Sequence, residues 1–166
     1  MTQQNYNNRS IVRLSLVQAF YSADIDDYKE PLISYFNKLL DYNLDQLIDS
    51  DRNEFKPDLK YAYKILEDAP DGFIKTDELI TQFLQKGRKF DSLNIILKAI
   101  LRTACLEIIK MDKISIKIII NEYTNIAADL LLQAEVKFVN AILDKMANFV
   151  RNNQPKNDQL EQKCAE

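Results

Sequence analysis

The sequence predicts an all-α protein, and three observations carry that prediction. Only two glycines, Gly72 and Gly87, and four prolines occur in 166 residues, so the turn punctuation that many short strands require is missing. Apolar residues recur at three- and four-residue spacing over long segments, the period of a helix with one buried face. A hydrophobic fraction of 46% beside 28% charged residues is that of a globular protein, and a chain of this length can bury one substantial core.

Ser10 to Ala23 reads as a first helix with Val12, Leu16, Ala19, Phe20 and Ala23 turned inward. Pro31, whose ring fixes φ near the helical value, suits the start of a second helix reaching about Ile48. Pro57 opens a third, through Leu66. Ala69-Pro70-Asp71-Gly72 reads as a break, followed by a helix from about Thr76 to Gln85 that Gly87 closes. Leu93, Ile96, Leu97, Ile100, Leu101, Ala104 and Ile108 form the next stripe, with Lys98, Arg102 and Glu107 elsewhere on the wheel. Ile116, Ile119, Ile120, Tyr123, Ala127, Leu130 and Leu131 follow Ser115, a candidate N-cap. The β-branched run IKIII could pass for a strand in isolation; the helical period continuing well beyond it decides for helix. Val139, Ile142, Leu143, Met146 and Val150 make the last stripe. The polar tail, residues 152–166, is expected to be disordered.

The net charge of −3 conceals an asymmetry. Residues 1–23 carry Arg9 and Arg13 and no acid, residues 24–85 balance at −8, residues 86–151 at +4 and the tail at −1. A globally acidic protein can still present a basic surface to an anionic partner. Folding the two basic ends together would make one.

Several chemistries are excluded. The chain has no histidine, which removes Ser/His and Cys/His nucleophilic pairs, and it has no Gly-rich phosphate loop. Asp49-x-Asp51-x-Asn53 opens like an EF-hand loop, but Glu54 and Lys60 stand where the turn glycine and the bidentate glutamate belong. Asp24, Asp26 and Asp27 read as a solvated loop rather than a cation site. Cys105 on an apolar stripe and Cys164 in the tail suit reduced thiols, not a disulfide or a metal site. No apolar run marks a signal peptide or a membrane span. The expectation is a cytoplasmic protein, not an enzyme, with no cofactor, no metal and no membrane or DNA partner.

Arg9 and Arg13 lie four residues apart, hence on one face near a helix N-terminus. Cations there oppose the helix dipole by about 0.3–1 kcal/mol each when exposed, a cost a phosphate partner would offset. Two ordinary solvated arginines remain the alternative.

Three strings, ILKAILRTACLEI, IIINEY and KFVNAILDK, in that order in the C-terminal half of the chain, together with Gln18-Ala19-Phe20-Tyr21 at the end of the first helix, resemble the NusB family of transcription antitermination factors. The match to the family pattern is dense over residues 91–150, thinner over 9–23 and nearly absent between 24 and 90. Ser10 and Ile11 stand where further arginines are common. Leu106 replaces the tyrosine of the family's "YEL" string, and Ala141 the glycine of "FVNG". ADLLLQAEV lacks the glycine usual before the last helix, so either the turn is reshaped or the preceding helix runs longer.

The resemblance implies a bundle of about seven helices forming one RNA-binding domain over residues 1–151, with an N-terminal helical subdomain of about 9–85 packed on a C-terminal one of about 91–151. It implies binding of single-stranded boxA RNA from the leader of ribosomal RNA operons. The chain would act with NusE, a small-subunit ribosomal protein, and the pair would tether that RNA to elongating RNA polymerase. RNA contacts fall by resemblance to Arg9, Arg13, Gln18, Arg102, Lys137 and Phe138. Arg9, Arg13 and Lys137 would neutralise phosphates, Phe138 would stack on a base or else pack in the core, Arg102 would support the site, and Glu122 would satisfy a buried or interfacial cation such as Arg102. A thinned arginine cluster and the leucines 130–132 leave open a protein–protein adaptor that kept the fold with reduced RNA affinity. A third reading, the NusB-like domain preceding a ribosomal RNA methyltransferase, is disfavoured by length.

Overall fold

A computed structural model describes residues 8–47, 55–67 and 69–153. Those residues form seven α-helices and no strand: α1 (Ser10–Ile25), α2 (Leu32–Asp45), α3 (Leu59–Leu66), α4 (Ala69–Phe83), α5 (Ile95–Lys110), α6 (Ile116–Leu130) and α7 (Gln133–Asn153), with a 3₁₀ turn at Phe90–Ser92. Expected positions 48–54 and 154–166, including the Asp49-x-Asp51 string and most of the polar tail, lie outside the described residues. Asn152 and Asn153 continue α7.

Two helices are buried on most of their circumference and organise the rest. In α1 the residues Ile11 to Val17, Leu14 excepted, are buried, as are Ala19, Phe20 and Ala23; in α5 so is every residue from Thr103 to Ile108. α1 packs on α5; α2 and α3 cover α1, and α4, α6 and α7 gather around α5. One contiguous apolar core results, spanning both ends of the chain. Phe20, fully buried and edge-on to Phe73 at 5.2 Å, ties α1 to α4; truncating such a ring to alanine costs about 3–5 kcal/mol.

The buried hydroxyls on these faces are satisfied locally. The Ser15 hydroxyl donates to the Ile11 carbonyl at 2.9 Å and Thr103 to the Ala99 carbonyl at 2.7 Å, so neither leaves a desolvated donor.

Where structure and sequence expectation part, the causes are local. α4 begins at Ala69 and runs through the proposed break, because proline is tolerated in a first helical turn where no intrahelical N–H is yet needed. It ends at Phe83, short of Gly87, which sits in the following turn at φ +88. Its main packing partners are α5 and α7. The α6–α7 connection is reshaped rather than lengthened: Leu131 is extended, and Glu135 reaches back to accept from the Leu132 N–H at 3.2 Å. That reach closes the turn as a capping box does, without glycine.

Candidate nucleic-acid interface

The N-terminal end of α1 is held by charge. Arg13 is 1% exposed and forks onto Glu107, with Nη2 donating to Oε1 at 2.7 Å and Nε to Oε2 at 3.0 Å. Its remaining Nη1 donates to Glu122 Oε2 at 3.2 Å, and the Ser10 hydroxyl donates to the same oxygen at 2.6 Å. Burial alone would disfavour the charged guanidinium; the Glu107 hydrogen bonds and charge outweigh it, and the Arg13 pKa is raised. The Tyr61 and Tyr123 rings close the cluster. Burial first, and the Glu107 charge second, hold both phenols well above their ordinary pKa.

Two expectations are thereby corrected. Arg13 is no surface cation: its guanidinium is buried and committed to two carboxylates. Glu122 satisfies Arg13 and Ser10, not Arg102. Sequence periodicity had placed Glu107 off the buried stripe, yet it is fully buried, because α1 delivers a cation directly onto it.

Arg9 lies one turn outward. Its side chain is 43% exposed, donates to Asp58 Oδ2 at 2.9 Å and stacks over the Tyr61 ring at 5.0 Å. Asp58 does double duty, since its Oδ1 accepts from the Tyr61 N–H at 3.1 Å as the N-cap of α3. Burial opposes its ionisation, but the Tyr61 N–H and Arg9 prevail and its pKa is lowered.

Around Arg9 and Asp58 open two adjoining hollows of about 720 and 400 Å³ that share Arg9, Asp58 and Ile114 as a common wall. One reaches Lys56 and Ile118; the other runs along Lys60, Lys64 and Lys113. The loop carrying Ile114 is fixed from behind by Arg151 of α7, which donates to the carbonyls of Met111 (3.0 Å), Asp112 and Ile114 (3.1 Å).

The other predicted residues lie elsewhere. Arg102 is 12% exposed and bridges Asp24 at 2.8 Å and Asp77 at 2.7 Å, sandwiched by the Phe73 and Phe90 rings at 5.0 and 5.1 Å. Asp24 is about 16 Å along α1 from Arg13 at 1.5 Å per residue, so Arg102 locks α1, α4 and α5 together and is not part of the Arg9 hollows. Gln18 accepts from the Asn43 side chain at 2.7 Å, joining α1 to α2. Lys137 is exposed at the start of α7. Its neighbour Phe138 is half-buried, and the Arg88 guanidinium covers its ring at 4.6 Å, a cation–π contact. Arg88, Lys56, Lys60, Lys64 and Lys113 are not among the RNA contacts expected from sequence; the basic run Lys86-Gly87-Arg88-Lys89 is the available signal for the first.

No helix among the described residues is long and apolar enough to cross a membrane.

Comparison with known proteins places this architecture. The NusB family profile matches residues 6–148. The transcription antitermination protein NusB of Rickettsia rickettsii (strain Sheila Smith) is 31% identical over 156 residues, covering 89% of this chain and 96% of that protein. The protein of the same name from Rickettsia bellii (strain OSU 85-389) is 32% identical over 155 residues, covering 89% and 95%. Among solved structures, T. maritima NusB superposes with a TM-score of 0.67 at 24% identity, covering 84% of this chain and 90% of that one. A complex of the antitermination factors NusB and NusE with dsRNA matches with a TM-score of 0.67 at 18% identity, over 86% of this chain and 97% of that chain. These structures share the fold; the sequence matches decide the family. The chain belongs to the NusB family.

Proposed function

We propose that this protein is an RNA-binding transcription antitermination factor that grips boxA-type leader RNA of ribosomal RNA operons together with NusE and promotes processive transcription. The observation that carries the reading is the family match over residues 6–148, nearly the whole helical bundle. NusB and NusE occur together with dsRNA in a structurally similar complex, which supports the choice of partner. Action is by binding: the chain supplies no histidine, and the role asks for no bond to be made or broken. The reading places it in the cytoplasm, where nascent transcripts are.

Within this reading the six predicted residues divide by accessibility. Arg9 and Lys137 neutralise phosphates and Phe138 stacks on a base, because their side chains reach solvent. Arg13, Arg102 and Gln18 act at one remove by fixing α1 against α5, α4 and α2. A protein–protein adaptor with reduced RNA affinity is the second reading, favoured by Leu130 and Leu132 at 42% and 77% exposed.

A terminator read-through assay with purified polymerase distinguishes them. Read-through that requires this chain, NusE and an intact boxA, and vanishes with a scrambled boxA, is the expected result. Read-through indifferent to the boxA sequence sinks the RNA-binding reading.

A further inference from the structure

The arginines nearest the family's RNA-binding segment spend their charge internally. Arg13 is buried on Glu107 and Glu122, Arg102 bridges two aspartates, and Arg9 leans on Asp58. Four lysines around the Arg9 hollows differ. Lys56, Lys60, Lys64 and Lys113 are exposed and form no ion pair among the described residues. The acids lining the same hollows are Asp58, already met by Arg9, and Asp112.

We infer that Lys60 and Lys64 of α3, with Lys56 and Lys113 on either side, form a phosphate-binding track that carries single-stranded RNA beyond Arg9 and across the face of α3. This rests on the RNA-binding reading above and extends its site to an element that the family strings do not reach.

Three features support it. Lys60 and Lys64 are one helical turn apart on one face, about 5–6 Å between Cβ atoms, close to the distance between successive phosphates of an extended strand. The hollows share Arg9, Asp58 and Ile114, so a strand held at Arg9 borders the lysine-lined one directly. Their walls also carry apolar surface for base faces, with Ile118 51% exposed beside Ile114. A basic groove with apolar contact surface suits an unpaired strand, whose bases are free to turn inward. The loop bearing Lys113 and Ile114 is held by Arg151, so the track is preformed.

The test uses the whole chain and a fluorescently labelled boxA-type RNA, alone and extended at either end, titrated by anisotropy at several salt concentrations. Lys60→Gln with Lys64→Gln should flatten the slope of log affinity against log salt by about 0.7 for each lysine contact removed, the single-strand value. It should also abolish any gain from one of the two extensions. Lys29→Gln with Lys38→Gln removes two cations from the α1–α2 side and should leave slope and gain unchanged. Unchanged slope and gain in the α3 variant, with the unaltered protein binding RNA, overturns the track alone, including the case in which those lysines serve a protein partner. No RNA binding by the unaltered protein overturns the reading on which the track rests, and the track with it.

Discussion

Arg13 and Glu107 face each other at 2.7 Å with 1% and 0% of their side chains exposed, a buried ion pair at the crossing of the two central helices. Two ions taken out of water gain little net stability over an apolar pair, but either one left alone is costly. The pair therefore fixes how α1 crosses α5 more than it adds to stability.

Removing one partner should show this. Arg13→Ala or Glu107→Ala is expected to destabilise by about 3–5 kcal/mol, whereas Arg13→Met combined with Glu107→Leu recovers most of the loss. Urea midpoints of the four proteins check it. RNA affinity of Arg13→Ala should fall only as its folded fraction falls, which separates a structural role from a phosphate contact.

Phe138 should behave oppositely. Phe138→Ala is expected to weaken RNA binding by about 1–3 kcal/mol, the range for a base stacked on an aromatic ring. Anisotropy titration at fixed salt measures it, with thermal midpoints run alongside to show that the bundle survives.

Acid should loosen the α1–α3 junction. Asp58 holds its proton less readily folded than unfolded, so its contribution is present above the ordinary carboxylate range and is lost as pH falls through the lower folded pKa. Its side chain is 32% exposed and solvent screening keeps the effect small. Asp58→Asn keeps an N-cap acceptor but loses the charge, so its urea midpoint should vary less between pH 7 and the acid limb than that of the unaltered protein.

Cys105 should be chemically silent. It is fully buried, and burial pushes its thiol up to about 12, so little thiolate forms at mild pH. In a Cys164→Ser background, alkylation at mildly basic pH should be negligible until denaturant is added. Rapid labelling of the native protein would show α5 opening from the core.

How much of this was legible in sequence depended on whether one helix's pattern was self-sufficient. α5, α6 and α7 were readable because their apolar stripes, such as Val139, Ile142, Leu143 and Met146, repeat on one face, and all four are buried. The start of α4 is hidden because Pro70 and Gly72 read as a turn in sequence, although a proline can occupy a first helical turn. Glu107 was misplaced because a wheel treats any carboxylate as solvent-seeking, and its partner Arg13 is 94 residues away. The same long-range pairing hid the roles of Arg102, whose partners Asp24 and Asp77 sit on two other helices. Lys60 and Lys64 do not read as RNA contacts in the sequence because α3 carries no family string; only the fold brings them beside Arg9.

The most direct test of the account is an anisotropy titration of boxA RNA against the whole chain, with and without NusE, across a salt series. The account predicts binding that tightens with NusE and weakens steeply with salt, with Arg9→Ala and Lys137→Ala each reducing it. NusE binding that brings no RNA affinity, at any salt, would contradict it and leave the adaptor.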